Sequence, residues 1–158
     1  MARSLGMTVT PWGVLGSGVL TGKYNDAPPA ASSGSAGAKV ERRLDGGNNQ
    51  KASERNIAIA RIVVDVAKET RLTPSQVALA WLRRQPGSIV PILGARRLSQ
   101  IRDNLTCLDV TLTEEYFRKL DEASKVDLGF PHNFLLSTVG RDRLFGGLYS
   151  RMAEHREP

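Results

Sequence analysis

The sequence predicts an α/β fold, in which short apolar strands alternate with amphipathic helices. Residues 88–93, Ser-Ile-Val-Pro-Ile-Leu, form a short apolar run of the kind that is typical of a covered parallel strand. Residues 8–11 form a second candidate strand, which ends in the glycine-rich run 13–18. Apolar residues then recur at helical spacing after Ser53. Together these three observations indicate the fold class.

Three helix starts are predicted from side chains that cap helices. Ser53 is expected to cap a helix that runs to Glu69. Thr73 caps a second helix with Pro74 at its first position, and Thr113, followed by two glutamates, opens a third. The side chains expected to face the core are Ile57, Ala60, Val63, Val64, Ala67, Tyr116, Leu120 and Ala123.

Polar side chains follow the later candidate strand. Gly94 allows a turn, after which unpaired amide N–H groups and the positive end of a helix dipole are expected to face one pocket. Arg96 and Gln100 are spaced to lie on one face of the helix, and Asp103 or Asn104 continues that face. An arginine fork suits a phosphate, whereas amide and acid groups suit ribose hydroxyls or an adenine edge. This segment therefore predicts a site for a phosphorylated nucleotide.

Residues 91–105 resemble the last strand and helix of the aldo-keto reductase family. Residues 6–24, Gly-Met-Thr-Val-Thr-Pro-Trp-Gly-Val-Leu-Gly-Ser-Gly-Val-Leu-Thr-Gly-Lys-Tyr, resemble the family's seventh barrel strand and its loop. Residues 74–87 resemble the helix before the last strand. Residues 128–134 and 145–147 are similar to the C-terminal extension of bacterial members. The motifs stand in the family's order and cover nearly the whole chain.

The resemblance implies the C-terminal part of a (β/α)8 TIM barrel over residues 1–127, followed by a C-terminal extension over 128–158. A complete barrel needs roughly 250 residues, and the chain has 158, so the barrel is expected to be incomplete. Two strands cannot close a barrel. We therefore expect the chain to pair with a complementary N-terminal segment, to self-associate, or to be only marginally stable.

The resemblance also implies NADP(H) as the cofactor, with the Arg96 turn around the adenosine 2′-phosphate. Trp12 matches an aromatic residue that stacks on the nicotinamide ring, and a core role is its alternative. Lys23 is expected near the pyrophosphate, and Tyr24 is expected to pack. The family's usual Ser-Pro is Gly13-Val14 here, which removes a hydroxyl that could bind the cofactor. The predicted cofactor-binding residues are Trp12, Gly13, Leu15, Gly16, Gly18, Lys23, Gly94, Arg96, Gln100, Asp103 and Asn104.

The family's reaction is hydride transfer from NADPH to an aldehyde or ketone, but the resemblance assigns no catalytic residue to this chain. The family's Asp, Tyr, Lys and His lie on earlier strands that nothing here matches. Lys23, Tyr24 and Asp26 are suitable residue types, yet neighbours on one loop cannot reproduce groups that come from different strands. The chain alone is therefore expected to be inactive. A noncatalytic nucleotide-binding or interaction module is the alternative.

Residues 26–50 are rich in Pro, Ala, Ser and Gly, a composition that predicts a flexible loop. In the family, the loop after the seventh strand folds over the bound cofactor. The alternative is an insertion without function.

Composition argues against other classes of protein. The formal net charge is +6, but the basic residues are dispersed and aromatic residues do not alternate with them, so nucleic-acid binding is the weakest hypothesis. No apolar run approaches the roughly 20 residues of a membrane helix, and no signal peptide is recognisable, which favours a cytoplasmic protein. Cys107 is expected to be a small buried hydrophobe, and with His132 and His155 it offers no metal-ligand spacing.

Overall fold

The computed structural model describes residues 1–25 and 53–151. The loop predicted over 26–50 lies outside these residues, as do Asp26 and His155. The α-helices of the described part are α1 (Glu54–Thr70), α2 (Pro74–Arg83), α3 (Leu98–Leu105), α4 (Glu114–Ser124), α5 (His132–Leu136) and α6 (Thr138–Phe145). Short 3-10 helices span Arg3–Leu5, Gly16–Thr21, Thr106–Leu108 and Tyr149–Arg151.

The three predicted helix starts are confirmed. The Ser53, Thr73 and Thr113 hydroxyls each accept a hydrogen bond from the backbone N–H three residues later, at 3.3, 3.3 and 3.4 Å. Helix α1 ends one residue beyond the predicted Glu69, where Arg71 takes a left-handed conformation with φ of 58°. Local capping chemistry therefore sets where these helices begin.

The core lies between α1, α2 and α4. Ala60, Val63 and Ala67 are buried, as the predicted apolar stripe requires, whereas Val64 is half-buried and lies against Gly22, directly after the 3-10 helix Gly16–Thr21. The sequence pattern missed Val66, which is fully buried. Leu120 is the buried residue of α4, while Tyr116 and Ala123 are half-buried. The main buried cluster consists of Val63, Val66, Ala67, Val77, Ala78, Ala80, Leu112 and Leu120.

Residues 8–12 and 88–92 pair in parallel through two isolated bridges, Val9 with Ile89 and Trp12 with Ile92. No longer strand is present among the described residues. The expectation of a covered strand over 88–93 is wrong, because Val90 and Ile92 are each 55% exposed. Within the described ranges, only residues 8–12 pair with this segment, so its other edge has no partner strand there.

The C-terminal helices α5 and α6 pack against each other. A Cβ added at Gly140, the buried residue of α6, would lie 1.9 Å from the Phe134 carbonyl oxygen, so only glycine permits this approach. Aromatic pairs join Phe130 to Phe134 and Phe145 to Tyr149, with ring centroids 6.5 and 5.3 Å apart. Most apolar side chains of this region remain exposed, with Phe130 the most exposed at 86%.

Candidate functional site

The parallel pairing places the two predicted loops side by side. The Val9 N–H donates to the Ser88 carbonyl at 2.9 Å, the Val90 N–H to Val9 at 3.0 Å, and the Ile92 N–H to Pro11 at 2.9 Å. The chain leaves both segments at the same end. The first segment leads into residues 13–18, the glycine loop, and the second leads into residues 94–97, the Arg96 turn. Ligand sites of α/β proteins form at this carboxyl edge of parallel strands.

The glycine loop turns sharply through residues in the left-handed region. Gly16, Ser17 and Gly18 have φ of 58°, 57° and 92°, and of these only Ser17 carries a Cβ that makes the conformation costly. The Gly16 N–H donates to Gly13 at 2.8 Å and the Gly18 N–H donates to Leu15 at 2.9 Å. These two amides therefore close the loop on itself and already have backbone acceptors.

Lys23 lies across the glycine loop. A Cβ at Gly18 would stand 2.6 and 2.7 Å from the Lys23 Cε and Nζ atoms, so the glycine makes room for the side chain. The ammonium is 5.1 Å from the centroid of the Tyr24 ring. Tyr24 itself is buried and packs with Val19 and Ala60, as predicted. The arrangement holds one positive charge against the loop.

The Arg96 turn differs from its prediction. Helix α3 begins at Leu98, so Arg96 precedes the helix and does not share a helical face with Gln100. The Gln100 Oε1 atom instead accepts hydrogen bonds from the backbone N–H groups of Arg96 and Arg97, at 3.0 and 3.2 Å. Gln100 thus pairs the N–H of the N-cap residue Arg97 and the N–H of Arg96 before it, and the Arg96 residue is exposed.

Asp103 and Asn104 follow Gln100 on α3, and Asp103 faces the start of α2. The carboxylate of Asp103 accepts from the Thr73 hydroxyl at 3.0 Å and from the Gln76 Nε2 group at 2.8 Å. Asn104 is 5% exposed. Thr73 and Pro74 predicted the start of α2, but nothing local indicated that the Gln76 and Thr73 side chains bind a carboxylate 27 and 30 residues away.

Trp12 is 81% exposed at the end of its bridge, so it does not have the core role that was its alternative. Next to the glycine loop, a cavity of about 420 Å³ lies among the 3-10 helix Gly16–Thr21, α1, α2 and α4. Its walls are mostly apolar and include Val14, Leu20, Ile59, Val63, Trp81 and Leu120. The sequence pattern did not predict it, because its walls come from four separate elements.

Cys107 is buried, as predicted. Burial raises the pKa of its thiol, and the nearby Arg83 guanidinium opposes this shift only in part. Among the described residues, no three His, Cys, Asp or Glu side chains are grouped as metal ligands would be. None of the helices described is long and apolar enough to cross a membrane.

A sequence model of the aldo/keto reductase family matches residues 1–125. Norsolorinic acid reductase of Aspergillus flavus is 30% identical over 138 residues, which are 87% of this chain and 31% of that protein. Protein tas of Escherichia coli is 33% identical over 122 residues, which are 77% of this chain and 33% of that protein. A putative aryl-alcohol dehydrogenase of Saccharomyces cerevisiae is 30% identical over 142 residues, which are 85% of each chain. The chain thus spans about a third of several relatives and most of another.

Proposed function

The chain belongs to the aldo/keto reductase family, and on this premise we propose that it is the NADP(H)-binding part of an oxidoreductase that reduces aldehydes or ketones. The family's members are oxidoreductases that use a nicotinamide cofactor. The glycine loop and the Arg96 turn are the two parts of the proposed site. Trp12 borders the nicotinamide, Lys23 the pyrophosphate and Arg96 the adenosine 2′-phosphate.

The parallel bridge between Trp12 and Ile92 carries the proposal. It brings together two loops that are about 80 residues apart in the chain, and each has a positive side chain, Lys23 lying across the glycine loop and Arg96 standing in the other turn. A dinucleotide with a 2′-phosphate has negative groups in two places, and paired loops can bind both at once. Arginine suits the terminal phosphate because its planar fork binds two oxygens.

The same pairing supports a proposal about the fold. Residues 1–127 form two neighbouring strands of a (β/α)8 barrel with their helices, and residues 128–158 form an extension. The exposed edge at residues 88–92 then receives a complementary strand, from an N-terminal segment or from a second copy of the chain.

Replacement of Arg96 tests the cofactor assignment. Arg96→Ala is expected to weaken NADP binding by about 1.5–3 kcal/mol, because a charged hydrogen bond is lost, and to leave NAD binding nearly unchanged. Isothermal titration of both nucleotides measures the two losses. Arg118→Ala, which removes an exposed arginine of α4, is the control and should change neither. Equal losses for NADP and NAD in Arg96→Ala would contradict the assignment.

We further propose that the 158 residues bind the nucleotide without reducing a carbonyl compound. Tyr24 is buried with Val19 and Ala60, which suits packing better than proton donation to a substrate. NADPH oxidation in the presence of generic aldehydes is expected to stay at the rate of the buffer. Turnover that Tyr24→Phe abolishes would overturn this part of the proposal and make the Lys23–Tyr24 pair catalytic.

A further inference from the structure

We infer that Asp103 is a positioning residue, which docks α3 onto α2 and thereby holds the turn that carries Arg96. The inference rests on the proposed function, because it concerns how the phosphate-binding arginine is held. It assigns Asp103 a role in holding α3 that does not require contact with the cofactor.

Both carboxylate oxygens of Asp103 already have partners on α2. One accepts from the Thr73 hydroxyl at 3.0 Å and the other from the Gln76 Nε2 group at 2.8 Å. Gln76 Nε2 also donates to the Asp103 backbone carbonyl at 3.3 Å. Three hydrogen bonds thus join the start of α2 to the last turn of α3.

The cap of α2 determines which way the Gln76 amide points. Gln76 Oε1 accepts from the Thr73 backbone N–H at 3.1 Å, so the NH2 end of the amide must face Asp103. Gln76 is only 8% exposed, and a buried amide N–H without an acceptor is costly. The Asp103 backbone carbonyl accepts from one N–H of this amide, so the other N–H needs the Asp103 carboxylate whether or not a nucleotide is bound.

One helical turn before Asp103, Gln100 extends the same network. Its Oε1 atom accepts from the backbone N–H groups of Arg96 and Arg97. Hydrogen bonds then run from the cap of α2 through Asp103 to α3, and from α3 through Gln100 to the Arg96 turn. The Ile92 N–H donates to the Pro11 carbonyl, which fixes the segment before the Arg96 turn. A shift of α3 on α2 therefore moves the Arg96 turn relative to that segment.

A double-mutant cycle tests the inference. Gln76→Glu places a second carboxylate against Asp103 and is expected to weaken NADP binding about tenfold, with a smaller loss for NAD. Adding Asp103→Asn restores a donor opposite an acceptor, since the carboxylate introduced on α2 can accept from Thr73 and from the amide introduced on α3. This double variant should regain part of the NADP affinity, because it removes the two facing charges but does not restore the hydrogen bond to the Asp103 backbone carbonyl. Its failure to do so, with Asp103→Asn alone as damaging as the double variant, would show direct contact and overturn the inference.

Gln85→Glu is the matched control. Gln85 donates to Asp121 at 3.2 Å across an exposed surface between α2 and α4, so the same substitution creates the same pair of charges away from the proposed site. It is expected to leave the affinity for both nucleotides unchanged. A loss like that of Gln76→Glu would mean that added charge, and not the link to α3, causes the effect.

Amide hydrogen exchange separates this inference from the proposed function, because it needs no nucleotide. Gln76→Glu should speed exchange at Arg96 and Arg97, and the double variant should slow it again. If Gln76→Glu does not fold, Asp103→Ala should produce the same faster exchange without like charges. Unchanged exchange at Arg96 and Arg97 would overturn the inference even if NADP binds, whereas failure of NADP to bind with exchange as expected would overturn only the proposed function.

Discussion

The helical body, formed by α1, α2 and α4, and the paired segments, residues 8–12 and 88–92, contain similar apolar side chains. They differ in how well they bury them. Val66 and Leu120 in the body are almost completely covered, whereas Trp12, Val90 and Ile92 in the paired segments are 81%, 55% and 55% exposed. A helix satisfies its backbone hydrogen bonds internally and needs cover on one face. A parallel strand needs neighbours at both edges and cover on both faces. Apolar character therefore predicts burial only where suitable neighbours exist.

Two leucine replacements should show the largest effect of this difference. Leu120→Ala in α4 is expected to lower the free energy of unfolding by about 2–5 kcal/mol, because it leaves a cavity in the main cluster. Leu144→Ala in α6, where the side chain is 55% exposed, should change it by no more than about 0.5 kcal/mol. Urea unfolding followed by circular dichroism measures both. Similar losses in the two variants would mean that the burial of a leucine side chain does not decide its contribution to stability.

A smaller effect is expected on association. We expect the chain to self-associate through its exposed paired segments, and Ile92→Lys should weaken this association about tenfold by placing a charge on the apolar surface. Light scattering after size-exclusion chromatography, at several concentrations, measures the change. Val126→Lys, at a site 64% exposed outside the segments, is the control. A compact monomer with a sharp thermal transition independent of concentration would show that the segments need no partner.

The smallest expected effect concerns pH at the start of the C-terminal region. The Gly129 N–H and the Asn133 side-chain amide, which both donate to Asp127, hold the pKa of its carboxyl below its usual range. The ionised form is thus favoured in the fold, so its stabilisation is present above the ordinary pKa. It is lost as the pH falls through the lowered pKa.

An acid titration followed by NMR should show this loss as a local change at residues 127–136. Asp127→Asn should remove the pH dependence of those signals. A titration that is the same in both proteins would mean that the turn does not depend on the charge.

The sequence predicted what depends on neighbours within a few residues. The hydroxyls of Ser53, Thr73 and Thr113 bind N–H groups three residues away, so the helix starts follow from local chemistry. The burial of Ala60 and Val63 follows from helical periodicity in the same way. The family, too, was recognisable from short motifs in order.

The role of Asp103 required the tertiary structure, because its partners Gln76 and Thr73 are 27 and 30 residues away. The sequence placed Arg96 on a helical face, but the hydrogen bonds of Gln100 set the start of α3 after it. The exposure of Ile92 likewise depends on which segments lie beside it. By itself the sequence determined the family, the helix starts and the glycine loop. Only the tertiary structure decided which side chains face one another, because contacts between distant residues depend on how the elements pack and not on local spacing.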